Sequence, residues 1–176
     1  VGFLFALFVG IPMGIYSAKK NGKMLDHATR FFSIGAVSLP TFWVAMVFQL
    51  VFYRILNWLP LGWRMSINAS LLYEIPNVTG MLIIDCILTG SWELLGDAFV
   101  HIIMPGFTIA LYPIGLVARM TRSALLEILN EDYITASKSY GIREGKVLWR
   151  YALKNSLGAT ATVVALSMGY SLTNTF

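Results

Sequence analysis

The chain alternates long uncharged stretches with shorter polar ones, and four of the uncharged stretches have the length of a membrane-spanning helix. They cover residues 1–18, 31–53, 102–118 and 155–176. A helix needs about 17–25 mostly apolar residues to cross the hydrocarbon core of a bilayer. The pattern therefore predicts four membrane spans joined by polar segments.

Prolines, glycines and polar side chains within these stretches predict local features. Gly10, Pro12 and Gly14 are expected to loosen the first span, and Pro40 is expected to kink the second because proline lacks a backbone donor. Gln49 is a polar residue of the second span and a candidate for lining a substrate pathway, since polar groups in a membrane prefer a bundle interior. An interhelical hydrogen bond is the more common alternative for Gln49.

The segment between the second and third spans, residues 54–101, is the least regular part. Trp58 and Trp63 flank a proline and a glycine, which is typical of a turn at the membrane interface. Residues 81–88 are apolar but too few to span. Residues 92–101 are compatible with an interfacial amphipathic helix. Asn68 and Asn77 each begin a match to the glycosylation sequon, which we discount as a weak pattern.

Composition and charge agree with a membrane protein. Of 176 residues, 57% are hydrophobic and 12% are charged, whereas soluble domains carry about 25% charged residues. The one cysteine, Cys86, excludes an internal disulfide. Because the chain begins and ends within hydrophobic runs, we expect it to be a fragment of a longer polypeptide.

The distribution of lysine and arginine predicts the orientation of the chain. The segment after the first span carries four of them, residues 54–101 carry two, and residues 119–154 carry seven. Segments rich in lysine and arginine remain on the cytoplasmic side of a membrane. The first and third segments are therefore expected in the cytoplasm and the second outside. The net charge of +4 reflects this topology and does not indicate a nucleic-acid partner.

The one long polar segment, residues 131–157, is expected to form two helices bent at a glycine. The first helix is predicted over residues 132–140, with Asn130 as its N-cap and with Gly141 ending it in a left-handed conformation. Such an element on the cytoplasmic side of a membrane is typical of a docking surface for another protein.

Each of the two helices has distinct predicted faces. Tyr133, Ala136 and Tyr140 follow helical spacing and form an aromatic and small stripe on the first helix. The second helix has a basic stripe and an apolar one. The basic residues are Arg143, Lys146, Arg150 and Lys154, and the apolar residues are Val147, Leu148, Tyr151 and Ala152.

The same segment resembles the EAA loop of ABC-importer permease subunits, which reads Glu-Ala-Ala, three residues, Gly. Thr135-Ala136-Ser137 and Gly141 occupy these positions, with Thr135 in place of the glutamate. Leu153 matches a later leucine, and Lys154 replaces the proline that often follows it. The flanking residues ALYPIGLVARMTRSALLEILNEDYITASKSYGI are most similar to the peptide and nickel permeases, and the resemblance extends over residues 10–170.

The resemblance implies an all-α, polytopic transmembrane helical bundle of the ABC-importer permease type, here a fragment with about four spans. Residues 1–176 would form part of one permease domain in the cell membrane, with residues 131–157 as its cytoplasmic coupling loop. The residues that would contact the ATPase are Asp132, Tyr133, Thr135, Ala136, Ser137, Tyr140 and Gly141.

The family also implies a set of partners and a function. The partners would be membrane lipid, cytoplasmic ABC ATPase subunits, a second permease subunit that is identical or different, and an extracytoplasmic substrate-binding protein. The assembly would import di- or oligopeptides, or nickel, and the permease itself would hold no cofactor and catalyse no reaction.

Two other function classes, a carrier and a membrane enzyme, fit the sequence less well. A pore or secondary carrier would have no need of the bent cytoplasmic helices, and the four spans contain no carboxylate of the kind that proton-coupled carriers use. A membrane enzyme would need a polar catalytic cluster. Residues 141–147 are one residue too short between their glycines for a phosphate-binding loop. Asp97 and His101 could supply only two ligands to a metal ion.

Overall fold

The computed structural model describes residues 2–72 and 79–173, and every regular element in these two ranges is a helix. The predicted all-α fold is confirmed. The helices are α1 (Gly2–Lys19), α2 (Met24–Ser38), α3 (Thr41–Phe48), α4 (Ile67–Leu72), α5 (Leu82–Thr89), α6 (Trp92–Leu129), α7 (Asp132–Ser139), α8 (Glu144–Lys146) and α9 (Leu153–Thr173). π-Helical segments follow α3 at Gln49–Ile55 and α8 at Val147–Ala152. Asn77 of the second sequon match lies outside the described residues.

The chain divides into two compact units. The first contains residues 1–39 and 109–176, and the second contains residues 40–108. Helices α1, α2 and α7–α9 belong to the first unit together with the carboxyl-terminal part of α6. Helices α3–α5 belong to the second unit together with the amino-terminal part of α6.

The chain is a multi-pass membrane protein by the length and apolarity of its helices. Within the described residues, α1 and α6 are each long and apolar enough to cross a membrane. Helix α2 and the α3 segment through Ile55 pass the same test only when they are taken together, as a broken span or a re-entrant loop. The fourth predicted stretch is helical over the 21 residues of α9, but α9 is not among the helices that pass this test.

The second predicted span, residues 31–53, is not one helix, which corrects the sequence prediction. Helix α2 starts earlier, at Met24, and ends at Ser38, and Pro40 is the N-cap of α3. The ring of a proline disfavours the helical region for the residue before it, and Leu39 has the extended angles φ −83° and ψ 132°. Pro40 therefore breaks the helix and does not merely kink it.

Residues 92–101 do not form a separate interfacial helix, which is a second correction. They are the first turns of α6, which continues without a break to Leu129. At 1.5 Å per residue its 38 residues extend about 57 Å, longer than the hydrocarbon core of about 30 Å. The helix therefore combines the third predicted span with polar flanks.

The second unit contains the irregular segment that the sequence predicted. Asn57 and Trp63 have positive φ angles of 51° and 63°, and Trp58 and Trp63 are exposed, as expected of a turn with aromatic anchors. Helix α5 has eight residues and is too short to span. Its buried Asp85 accepts hydrogen bonds from the Thr79 amide at 2.7 Å and the Gly80 amide at 3.1 Å.

Asp97 and His101, which the sequence offered as two metal ligands, instead interact with each other in the second unit. The His101 Nδ1 atom lies 2.8 Å from the Asp97 carbonyl oxygen and 3.7 Å from its carboxylate. That carboxylate also accepts a hydrogen bond from the Ser66 amide at 2.7 Å. No group of three potential metal ligands occurs in the part of the chain that the structure describes.

The glycines of the first span serve close packing, and α1 continues past them, so the predicted loosening is wrong. A Cβ atom added to Gly14 would lie 2.6 Å from the Thr121 Cβ and 2.7 Å from the Ala118 carbonyl oxygen of α6. A Cβ atom at Gly10 would lie 3.1 Å from the Ile114 carbonyl oxygen. Small residues allow two helices to approach closely where no hydrophobic effect drives their association.

We expect Gly14→Ala to destabilise the protein by about 1–3 kcal/mol, because overpacking forces the α1 and α6 backbones apart. The matched control is Gly35→Ala in α2, where an added Cβ meets nothing within 4 Å. The measurement is the temperature at which half of the detergent-solubilised full-length protein remains monodisperse. Equal midpoints for the two variants would contradict the packing role of Gly14.

Candidate functional site

Helix α7 begins at Asp132, as the sequence predicted, but its N-cap lies one residue later than predicted. Its N-cap is Glu131, with φ −68°, ψ 147° and no side-chain capping hydrogen bond. The amide of Asn130 donates to the Glu127 carbonyl at 3.1 Å, and the amide of Glu131 donates to the Ile128 carbonyl at 3.1 Å. Because Asn130 still belongs to the last turn after α6, it cannot adopt the extended conformation of an N-cap.

Helix α7 ends at Ser139, with Tyr140 as its C-cap. As predicted, Gly141 follows in the left-handed conformation. Gly141 has φ +74°, and its amide donates to the Lys138 carbonyl at 2.9 Å. The Ile142 amide donates to the Ser137 carbonyl at 3.3 Å. This pair of hydrogen bonds is the Schellman motif, which needs a left-handed residue and so favours glycine.

The second predicted helix is present, with a π-helical segment that the sequence did not reveal. It runs through α8, Val147–Ala152 and α9. The predicted faces are confirmed: the basic stripe is exposed, and Val147, Leu148 and Ala152 are buried. A π-helical turn inserts one residue into the helical repeat, and an apolar pattern a few residues long does not report such an insertion.

A buried cluster holds α7 against the rest of the first unit. Ile134 is fully buried, and it packs with residues of α1, α6 and the π-helical segment. We call this cluster the α7 seat, and it comprises Ile15, Ala18, Leu125, Ile134, Val147, Leu148 and Ala152. Sequence patterns alone did not predict the α7 seat. The apolar Ile134 within a polar segment was the signal that could have indicated it.

The opposite side of α7 is exposed and carries most of the predicted coupling residues. Tyr133 is 40% exposed and Tyr140 is 87% exposed. We call this side the outer face of α7, and it comprises Asp132, Tyr133, Thr135, Ala136 and Tyr140. Large exposed aromatic side chains next to a small residue are typical of a protein–protein contact.

Two hydrogen bonds involve Tyr133 of the outer face, one to its side chain and one to its backbone. The Tyr133 hydroxyl accepts a hydrogen bond from the Asn155 side chain at 2.9 Å. The Ser137 hydroxyl, which is partly buried, donates to the Tyr133 carbonyl at 2.7 Å. Gln49, the candidate pathway residue, is exposed at the start of a π-helical segment in the second unit and does not belong to this surface.

A buried ion pair joins α2 to α6 in the first unit, and sequence reasoning did not find it. The Arg122 guanidinium donates to both carboxylate oxygens of Asp26, at 2.5 Å and 2.9 Å. Asp26, which is 1% exposed, also accepts hydrogen bonds from the Ser17 hydroxyl at 2.6 Å and the Gly22 amide at 3.0 Å. The partners are 96 positions apart, so no local pattern connected them.

Similarity to characterised proteins agrees with this architecture. Residues 10–176 match the family described as "binding-protein-dependent transport system inner membrane component". The chain is 39% identical to the Escherichia coli protein named "Probable D,D-dipeptide transport system permease protein DdpB", over 94% of this chain and 48% of that protein. It is 35% identical to the dipeptide permease DppB of Alkalihalophilus pseudofirmus, over 94% and 49% respectively.

A third relative is the di/tripeptide transport system permease protein DppB of Pseudomonas aeruginosa, which is 35% identical over 94% of this chain and 48% of that protein. The chain therefore spans about half the length of the curated relatives it matches. Because the family match extends over nearly all of its residues, the chain belongs to the inner membrane components of binding-protein-dependent transport systems.

Proposed function

We propose that the full-length protein is the permease subunit of an ATP-driven importer of di- or oligopeptides, and that α7 couples it to a separate ATPase. The observation that carries this proposal is the outer face of α7, an aromatic and small surface on a short helix seated on the first unit. The names of the relatives favour peptides over nickel as the substrate class.

The shape of α7 suits insertion into a cleft of another protein. The helix is eight residues long, and its Schellman motif turns the chain sharply after Ser139. Ala136 lets a partner approach the backbone, while Tyr133 and Tyr140 supply aromatic contact area on either side of it. Aromatic residues of this kind contribute most of the binding energy at many interfaces.

The α7 seat supplies a physical route from this surface towards the membrane. Ile134 belongs to the same buried cluster as residues of α1 and α6, and these two helices are apolar enough to cross a membrane. A close-packed interior transmits displacement and does not absorb it. A pull on the outer face would therefore shift α1 and α6, and a difference in contacts between two ATPase states would shift the permease equilibrium.

The remaining parts of the proposal follow from family membership. The coupling segment, residues 131–157, lies in the cytoplasm, where the ATPase subunits bind. The translocation pathway forms with a second permease subunit, and a binding protein delivers substrate from the outside. For Gln49, the support for a place in that pathway is its polarity and exposure and not the family. The permease catalyses no reaction of its own and depends on ATP hydrolysis by its partners.

A cross-linking experiment tests the coupling role. In the full-length protein a cysteine replaces Ala136, and a second cysteine is introduced into the cleft of the partner ATPase. The natural Cys86 is buried and gives little background. We expect a cross-link whose yield changes at least about threefold between nucleotide-free and ATP-bound membranes, because the cleft must change its contacts if it is to transmit work.

The matched control is Ala28→Cys, an exposed alanine on α2. It should cross-link poorly and without dependence on ATP. Equal yields at the two positions, with both chains present in the membrane fraction, would refute the docking role of α7. That result would favour a carrier that works without an ATPase.

A further inference from the structure

A groove in the first unit combines positive charge, hydroxyl groups and an exposed apolar side chain. It lies between α2 and α6 and has a volume of about 250 Å³. The lining residues that matter here are Arg30, Ser33, Ile34, Arg119, Arg122 and Ser123. None of them belongs to the outer face of α7 or to the α7 seat.

Two of the three arginines in the groove have their charge available for a ligand. Arg122 is neutralised by the buried carboxylate of Asp26. Arg30 and Arg119 are exposed, and neither forms an ion pair with any residue that the structure describes. Guanidinium groups bind phosphate through two parallel hydrogen bonds, so a pair of them favours a phosphate group over a neutral ligand.

Ser33 provides an independent sign of a ligand. Its side chain is 1% exposed, and its Oγ atom has no hydrogen-bond partner within the described ranges. Buried hydroxyl groups are nearly always hydrogen-bonded, because an unsatisfied one loses its hydrogen bonds to water without replacing them. Since Ser33 forms part of the groove wall, an oxygen atom of a bound ligand would satisfy it.

The apolar part of the groove and its position favour a lipid over a free phosphate ion. Ile34 is 56% exposed beside the two arginines, and Phe31 of the same helix is 84% exposed. Arg30 and Arg119 flank the segments that charge counting places in the cytoplasm, where the anionic lipids of a membrane attract basic pockets between helices. Acyl chains would cover the apolar side chains while the phosphate contacts the arginines.

We propose that this groove binds the phosphate of an anionic phospholipid headgroup, with Arg30 and Arg119 as its charged contacts and Ser33 as a hydroxyl donor. The site is separate from the coupling surface and does not depend on which substrate the importer carries. A bound lipid would contact both α2 and α6. Its contacts would lie beside the Asp26–Arg122 ion pair, which joins the same two helices.

The test uses native mass spectrometry of the purified full-length permease, titrated with short-chain phosphatidylglycerol. We expect saturable binding of phosphatidylglycerol. The double variant Arg30→Gln/Arg119→Gln should raise the Kd at least about tenfold, because it loses two charge-assisted contacts. Ser33→Ala, which changes no charge and removes one donor, should raise the Kd about threefold and tests the site if the double variant does not fold.

The control removes the same charge elsewhere: Arg54→Gln/Arg64→Gln, two exposed arginines of the second unit. An equal loss of binding in this control would show that net charge alone attracts the lipid and would overturn the proposal. Short-chain phosphatidylcholine and inorganic phosphate serve as further probes. If inorganic phosphate at the same concentration displaces all of the bound phosphatidylglycerol, the proposal that the ligand is a lipid is wrong. If every variant binds phosphatidylglycerol as the wild type does, the proposed location of the site is wrong.

Discussion

Replacing Asp26 by alanine is expected to destabilise the protein by about 3–5 kcal/mol. The substitution leaves the Arg122 guanidinium, which is largely buried, without its partner, and an uncompensated buried charge costs this much. It also removes the acceptor for Ser17 and for the Gly22 amide. Reversible unfolding of the full-length protein in mixed detergent micelles measures the loss.

Two further variants separate the ion pair from the loss of a carboxylate. Glu127→Ala removes an exposed acidic residue of α6 and should change the free energy of unfolding by no more than about 0.5 kcal/mol. Asp26→Leu combined with Arg122→Met should recover part of the loss, because two apolar side chains leave no buried charge. If Asp26→Ala changes the free energy of unfolding as little as Glu127→Ala does, the ion pair does not stabilise the α2–α6 contact.

Ala136→Arg is expected to abolish ATP-dependent uptake, leaving less than about a tenth of the wild-type rate. The new side chain would stand in the middle of the outer face of α7, between Tyr133 and Tyr140, and would prevent close approach of the ATPase. Disruption of an interface centre costs about 2 kcal/mol or more, which is at least a thirtyfold loss of affinity. Uptake into cells or proteoliposomes measures the effect.

The variant should fold and insert normally, since Ala136 is exposed and faces away from the α7 seat. Ala28→Arg makes the same substitution at another exposed helical alanine and should leave uptake near the wild-type rate. Normal uptake by Ala136→Arg, with the protein present in the membrane at wild-type amounts, would refute the coupling assignment.

Helix α7 shows which structural features local sequence patterns can predict. Gly141 predicted a left-handed helix end because only glycine takes that conformation without strain, and the structure has it at φ +74°. The spacing of Tyr133, Ala136 and Tyr140 predicted one aromatic and small stripe, and in the structure all three residues are exposed on the outer face of α7. Asn130 was wrong as the N-cap because the preceding helix α6 competes for the same residues.

Errors in the fold also have local physical causes. Pro40 was expected to kink a span, but the steric effect of proline on Leu39 ends α2 altogether. Residues 92–101 suggested an interfacial helix by their polar character, whereas helical hydrogen bonding continues across such a boundary into the apolar part of α6. Hydropathy reports where a helix is apolar and does not report where its hydrogen bonds stop.

Hydrophobic periodicity and charge counting were sufficient to assign a helical membrane protein with an exposed, basic segment near its carboxyl end. These properties depend on residues close together in the chain. Only the tertiary structure revealed the Asp26–Arg122 pair, the contact of Gly14 with Thr121, the α7 seat and the groove beside Ser33. Each of these features joins helices that are far apart in sequence. Close packing in three dimensions decides which residues of those helices come into contact.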